Sequence, residues 1–428
     1  MMVTYLDFVV LSHHFGRPLG ITSVCSAHPY VIEAALRNGQ ALHTPVLIEA
    51  TCNQVNQYGG YTGMTPADFV RYVERIAEKV GFPREHLLLG GDHLGPLVWA
   101  NEPAESAMEK ARVLVKAYTE AGFRKIHLDC SMPCADDRDF SPAVVAERAA
   151  ELAQVVESTC RTAGLPLPKY VIGTEVPPAG GARAEAEILR VTRPEDAAET
   201  IALTRAAFFK RGLETAWERV IALVVQPGVE FGDHEIHVYC REEAQALSRF
   251  IESQPGLVYE AHSTDYQPRD ALRALVKDHF AILKVGPALT FALREAVFAL
   301  ATIEDWVCDS PSHILETLEA TMLANPVYWQ KYYSGDERAR RVARRYSFSD
   351  RIRYYWSAPA VEQAFEHLRA NLNRVSIPLA LLSQYLPEQY RKVRDGQLDN
   401  RFDALVLDKI QSVLEDYNAA CGVKAEDE

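Results

Sequence analysis

Val220-Ile-Ala-Leu-Val-Val-Gln226 is apolar at six successive positions and ends on a polar residue, and an amphipathic stretch over Glu242–Glu252 follows it. A strand with one face in water alternates polar and apolar residues, so an unbroken apolar run signals burial on both faces, as parallel sheets require. The same pairing recurs in both directions along the chain. Upstream lie Tyr170–Glu175 with Pro194–Arg211, Lys125–Ser131 with Pro142–Ala163, and His86–His93 with Pro103–Glu120. Before them come Pro45–Ala50 with Ala67–Lys79, and Ile21–Ser26 with Val31–Arg37. Downstream lie Leu257–His262 with Pro268–Phe280, and Ala281–Gly286 with Ala288–Ala301. Eight strand–helix units within about 300 residues predict a closed (β/α)8 TIM barrel. A doubly wound open sheet is the competing layout, but no G-x-G-x-x-G follows the first strand.

The chain has 428 residues, more than one barrel needs. Past about Ile303 strand signals fade and Pro311–Leu323, Pro359–Leu372 and Asp403–Tyr417 read as helices. The expected division is a barrel over 1–305 carrying the site and a helical extension over 306–428. Ser334–Asp350 is arginine-rich and reads as a solvated helix or loop facing acidic neighbours. A formal charge of −13 argues against a nucleic-acid partner, which would demand a basic surface. No apolar run reaches the roughly 18 residues of a membrane span. The first residues show no basic, cleavable leader, and eight scattered cysteines without a C-x-x-C pair fit free thiols, so a cytoplasmic protein is expected.

In such barrels chemistry sits at the C-terminal ends of the strands. Those positions carry Glu49 and Gln54, then Asp92 and His93, then Asp129 and Ser131, then Glu175. The later strands add Gln226, Glu230, Asp233 and His234, then His262, Ser263 and Asp265, and finally Lys284. So many acids at one mouth would repel each other unless a cation or bound ligand offsets them. Histidine and carboxylate donors suit zinc, manganese, cobalt or nickel, and composition does not choose among these. Asp92-His93 is the sharpest pair, His93 suited to hold metal while Asp92 exchanges a proton. The flanking glycines suggest close approach of a ligand. Tyr58–Gly63 reads as a lid or an ordinary turn. Gly286-Pro287 would aim the amides of a helix start at an anion, or simply begin a helix. No P-loop and no G-x-S-x-G elbow are present.

Ten stretches together resemble one known family: SVCSAHPYVIEAAL (23–36), VLIEATCNQVNQYGGYTGMTP (46–66), LLGGDHLGP (88–96), KIHLDCSM (125–132), YVIGTEVP (170–177), VVQPGVEF (224–231), YEAHSTDYQ (259–267), LKVGPALTFALREAVFAL (283–300), YSFSDRIRYYW (346–356) and SQYLPEQY (383–390). They are similar to the accessory-subunit family of tagatose-bisphosphate aldolase, often labelled tagatose 6-phosphate kinase. The resemblance implies a barrel like that of the metal-dependent class II aldolases. It also implies either of two roles: a 4-epimerase interconverting tagatose 6-phosphate and fructose 6-phosphate, or a non-catalytic stabilising partner of an aldolase subunit.

Carried over residue by residue, the class II pattern makes His93 and His262 metal ligands and Asp92 the proton-exchanging acid. The third ligand, a histidine closing strand six, has no direct counterpart; Glu230, His234 or Glu175 would replace it. Asp92, Asp129 and Glu175 are the expected catalytic acids and bases. Gln54, Ser131, Ser263, Asp265, Lys284, Gly286 and Arg353 are the expected contacts to a ketose or ketose phosphate. A homo-oligomer or an aldolase subunit is the expected protein partner. Epimerisation at C4 is read as retro-aldol cleavage of C3–C4 and re-addition, rather than proton transfer after the carbonyl moves to C3.

Overall fold

The computed structural model describes residues 4–173 and 189–423. Eight parallel strands close into a barrel: β1 (Ile21–Val24), β2 (Val46–Thr51), β3 (Leu87–Leu94), β4 (Lys125–Leu128), β5 (Lys169–Ile172), β6 (Val220–Val224), β7 (Val258–Ala261) and β8 (Phe280–Val285). β1 pairs with β8, as Ile21 with Ile282 and Val24 with Val285, and every other strand pairs with its neighbours in sequence. All residues of β4, β5, β6, β7 and β8 are buried, which is why β6 is apolar throughout and why the polar residues of β4 and β7 must find partners inside the barrel. The eight expected units are present, with ends shifted by a few residues. Glu175, expected at the end of β5, lies outside the described residues.

One barrel element was not read from the sequence. Tyr5–His14 forms a helix capped by a reciprocal Thr4/Asp7 box. Its Leu6, Val9 and Val10 pack on the inward side chains Leu47, Val171, Ile221 and Ile282, so the helix plugs the N-terminal end of the barrel. Asp7 also pairs with Lys169 at the start of β5.

The C-terminal helices lie against the barrel and share its main apolar core. The helix after β8, Pro287–Val307, runs past residue 305, and Phe402–Ala420 packs on it and on Pro29–Ala41 and Arg269–Lys277. The arginine-rich segment forms the helix Glu337–Tyr346 and does meet acids, but it is not wholly solvated. Arg344 is fully buried, paired with Glu319 and Glu337 at 2.6 Å each and set over the ring of Trp329. Among the described residues no helix is long and apolar enough to cross a membrane.

Candidate functional site

The register between β3 and β4 slips between Gly91 and Leu94, and His93 takes φ 48°, the left-handed region that costs a side-chain-bearing residue energy. A regular strand sends successive side chains to opposite faces; this bulge lets Asp92 and His93 both face the interior. The glycines around the pair serve the protein's own atoms. A Cβ at Gly90 would stand 2.6 Å from the Glu49 carboxylate, and one at Gly95 would stand 1.7 Å from the carbonyl oxygen of Asp129. They bring neighbouring strands together and do not open a path for ligand, a correction to the sequence reading.

Inside the mouth three carboxylates meet two lysines. Lys125 Nζ lies 2.6 Å from Glu49 Oε1 and 2.6 Å from Glu260 Oε2. Lys284 Nζ pairs with Glu49 and sits 2.8 Å from Asp92 Oδ2. Strands β2, β4, β7 and β8 can meet this way only across the barrel interior, where all these side chains are at most 5% exposed. Burial works against each charge, but the partners prevail: both lysines are held above their ordinary pKa, and Asp92 and Glu260 well below theirs. The crowded acids expected to require a metal are therefore largely offset by built-in lysines.

The histidines form a second layer. Rings of His93 and His262 face each other edge-on with centroids 4.9 Å apart, and His127 is 5.3 Å from each. His93 Nδ1 is 2.7 Å from Asp129 Oδ2, while Asp129 Oδ1 accepts from the amide and hydroxyl of Ser131. Burial disfavours the His93 cation, but Asp92 and Asp129 outweigh it and raise the pKa. His262, whose Nε2 lies 3.0 Å from Glu260 Oε1, is pushed down to about 4 by burial. His127 Nδ1 sits 2.9 Å from Asp92 Oδ1, and its Nε2 is buried without a hydrogen-bond partner. Donation from Nδ1 to Asp92 leaves that Nε2 presenting a lone pair.

The pocket above this network is lined by Gln54, Tyr61, Asp92, His93, His262, Ser263, Asp265, Lys284, Gly286 and Arg353. Tyr61 lies edge-on to Tyr354 at 4.8 Å, and Asn56 Oδ1 accepts from the amides of Tyr58 and Gly60, so the Tyr58–Gly63 segment is a pinned wall. Arg353 is the lining cation with no carboxylate partner among the described residues; it donates to the carbonyl oxygens of Ser349 and Asp350 and to the Tyr354 hydroxyl. The helix start at Gly286 is not open to an anion. Asp265 Oδ1 already accepts from Gly286 N at 3.0 Å and Ala288 N at 2.8 Å.

Several expected residues do not join the pocket. The chain after β6 folds into a short antiparallel hairpin, Glu230–Phe231 with Ile236–His237, whose turn exposes His234 to solvent. Glu230 is buried on that hairpin, where its Oε1 accepts from Phe231 N, and it is absent from the pocket lining. Gln226 Oε1 accepts from Gly228 N and Val229 N, closing the turn that leads into the hairpin. Ser131 is spent on Asp129 and does not line the pocket either. The expected ligand set of His93 with His262 and Glu230 or His234 therefore does not assemble. A different one does: Asp92, His127, Glu260 and His262 each offer a donor atom, all within 4.8 Å of one another. Two imidazoles and two carboxylates, one nitrogen still unpartnered, are a donor set that fits a divalent ion, though two of its carboxylates are shared with lysines.

Lys125, His127 and Glu260 were missed by a reading confined to strand ends. The signal was present: alternate residues of a strand share a face, so Lys125, His127 and Asp129 point inward together, as do Glu260 and His262.

Fold and mouth together define a (β/α)8-barrel protein with a buried carboxylate–lysine–histidine network at the C-terminal ends of its strands. Residues 6–422 match the GatZ/KbaZ-like family, described as D-tagatose-1,6-bisphosphate aldolase subunit, and the chain belongs to that family. It is 55% identical over 416 residues, 96% of this chain and 98% of the relative, to a Klebsiella pneumoniae protein named D-tagatose-1,6-bisphosphate aldolase subunit GatZ. A crystal structure of a probable tagatose 6 phosphate kinase from Sinorhizobium meliloti superposes with a TM-score of 0.87 at 49% identity, covering 94% of this chain and 100% of that one.

Proposed function

We propose that the chain is a subunit of a tagatose-bisphosphate aldolase that supports a separate catalytic chain. The observation carrying this reading is the mouth's internal charge balance. Lys125 and Lys284 already hold Glu49, Asp92 and Glu260, and no third histidine arrives from the β6 loop. A divalent ion on Asp92, His127, Glu260 and His262 would polarise a ketose oxygen, but it must compete with ammonium groups for two of those carboxylates. The relative's name, an aldolase subunit, supports the same reading.

A second reading rests on a different observation: Asp92, His93, His262 and Lys284 line one polar pocket beside Arg353, whose guanidinium is suited to a phosphate. In that reading the chain is a ketose 6-phosphate 4-epimerase. The C4 hydrogen is not acidic beside a C2 carbonyl, so epimerisation would proceed by cleaving C3–C4 and re-forming it on the other aldehyde face. Asp92 would hold and return the proton of the C4 hydroxyl, and Arg353 would keep the phosphorylated fragment in place between the two steps.

One experiment separates the two. The purified chain is incubated with Zn²⁺, Mn²⁺, Co²⁺ or Ni²⁺ and tagatose 6-phosphate, and separately mixed with a class II aldolase catalytic chain. The subunit reading expects no fructose 6-phosphate from the chain alone and slower inactivation of the catalytic chain in its presence. Fructose 6-phosphate formed by the chain alone would replace it with the epimerase reading. In heavy water the retro-aldol route leaves C3 and C4 without deuterium.

A further inference from the structure

The helix Glu337–Tyr346 carries five arginines against one glutamate, in a chain where 58 acids outnumber 45 lysines and arginines. Packing accounts for Arg344, which is buried against Glu319, Glu337 and the Trp329 ring. Arg338, Arg341, Val342 and Arg345 fall at i, i+3, i+4 and i+7, one stripe that faces away from the buried Ala343. Arg345 leans back to Glu319 at 3.7 Å. Arg338 and Arg341 are exposed, and neither meets a carboxylate among the described residues. Beside them Val342 is 45% exposed and Tyr346 55%, the tyrosine ring edge-on to Phe298 at 6.1 Å.

A merely solvated face would be built otherwise. Lysine is depleted at protein interfaces and arginine enriched, because the planar guanidinium grips a carboxylate at two points. Residues 332–391 hold ten arginines and no lysine. Helix stability does not call for Arg338 either. It stands in the first turn, two residues past the Asp336 cap, where the helix dipole disfavours a cation. The dipole favours Arg344 and Arg345 in the last turn, and leaves Arg338 and Arg341 without a role inside the chain. Unpaired arginines next to an exposed tyrosine are the side chains that dominate binding energy at protein interfaces.

We infer that this stripe docks the catalytic aldolase chain, on a surface of that partner which sets carboxylates around an apolar contact. The carboxylates pair with Arg338 and Arg341, and the apolar contact covers Val342 and Tyr346. The inference rests on the subunit reading given above. Charge selects the place: at −13 the chain as a whole repels an acidic surface, and this helix attracts one. The stripe also adjoins the mouth through the backbone. Just past the helix Ser347 and Ser349 donate to Asp233 after β6, and Arg353 donates to the Ser349 carbonyl. A partner held on the helix therefore bears on the segment that places Arg353 in the pocket.

The test is a calorimetric titration of the full chain with a class II aldolase catalytic chain at about 0.15 M salt. Arg338→Glu with Arg341→Glu should weaken binding about a hundredfold, through two lost charge pairs and two new repulsions. Glutamate suits the first turn of a helix, so this variant should fold, which circular dichroism checks. Tyr346→Ala leaves the charge intact and should weaken binding about tenfold; it decides the matter if the reversal does not fold. Arg161→Glu with Arg205→Glu makes the same change of net charge at exposed positions of Pro142–Ala163 and Pro194–Lys210, and should bind as the parent does. If the parent binds and the reversal at 338 and 341 binds within about threefold of it, this inference falls and the subunit reading stands. Equal weakening in the variant at 161 and 205 would overturn it as well, by tracing the effect to net charge. If the parent does not bind the catalytic chain, the subunit reading falls and takes this inference with it. Parent that sediments with phosphatidylserine vesicles, and not with the aldolase chain, would assign the face to a membrane and overturn both.

Discussion

Lys125→Met is the substitution that most directly questions the charge balance at the barrel axis. The ammonium group is 1% exposed and bridges Glu49 and Glu260 at 2.6 Å each, so its loss strands two buried carboxylates with Lys284 as their one remaining ammonium partner. Methionine keeps much of the side-chain volume, which confines the effect to charge. Breaking a buried pair from one side costs about 3–5 kcal/mol, against about 0–1 kcal/mol for an exposed pair. Urea unfolding followed by far-UV circular dichroism should therefore show a midpoint shift equivalent to about 3–5 kcal/mol. Adding Glu260→Gln removes one of the stranded charges and should recover part of that loss. With the lysine gone, Zn²⁺ or Mn²⁺ should stabilise the variant more than the parent, because Glu260 is freed for the ion. A cost below about 1 kcal/mol would refute the reasoning, since it would mean that the pair is screened as surface pairs are. A double variant less stable than Lys125→Met alone would refute it equally.

Other expectations concern single positions. Gly95→Ala places a Cβ 1.7 Å from the Asp129 carbonyl oxygen, a backbone clash that should leave little soluble protein on expression. Asp265→Ala frees the amides of Gly286 and Ala288, so sulfate should raise the melting temperature of the variant and not of the parent. His28 is neutral when folded, with its pKa depressed to about 3 from 6.5. The unfolded chain therefore takes up that proton first, and stability falls as pH drops below about 6.5 toward 3. His28→Phe should flatten the acid limb by about one proton, read from unfolding midpoints between pH 6.5 and 4. Asp265 runs the other way: its pKa, raised by burial to about 6, makes its contribution largest in acid and smaller as pH rises through 6.

The barrel was legible because strands buried on both faces are largely apolar, and β6 shows this without interruption while β8 is broken by Lys284 alone. The plug helix Tyr5–His14 was not, since only Leu6, Val9 and Val10 are apolar contacts and their partners lie on distant strands. At the site, Asp92, His262, Asp265 and Lys284 could be picked out because charged groups at strand ends stand out against apolar runs. What each does could not be read, because it depends on long-range neighbours. Lys284 meets Glu49 across 235 positions, and Asp265 occupies the helix start that a phosphate was expected to use. The turn after β6 defeated the reading of His234 and Glu230 because spacing alone does not say where a hairpin folds back.

The long helix Phe402–Ala420 has a consequence for how the molecule is built. It lies over the seam where β1 meets β8, and the carbonyl of Cys421 accepts from the Gly20 amide while its sulfur fills the space a Cβ at Gly20 would need. The ring is thus locked by three stretches drawn from about positions 20, 280 and 420. During synthesis the first strand must wait, one edge exposed, until Phe280–Val285 has emerged, and the seam stays uncovered until the helix Phe402–Ala420 follows. Sealing the barrel is then a late, long-range event, and the growing chain is most prone to aggregate just before it happens.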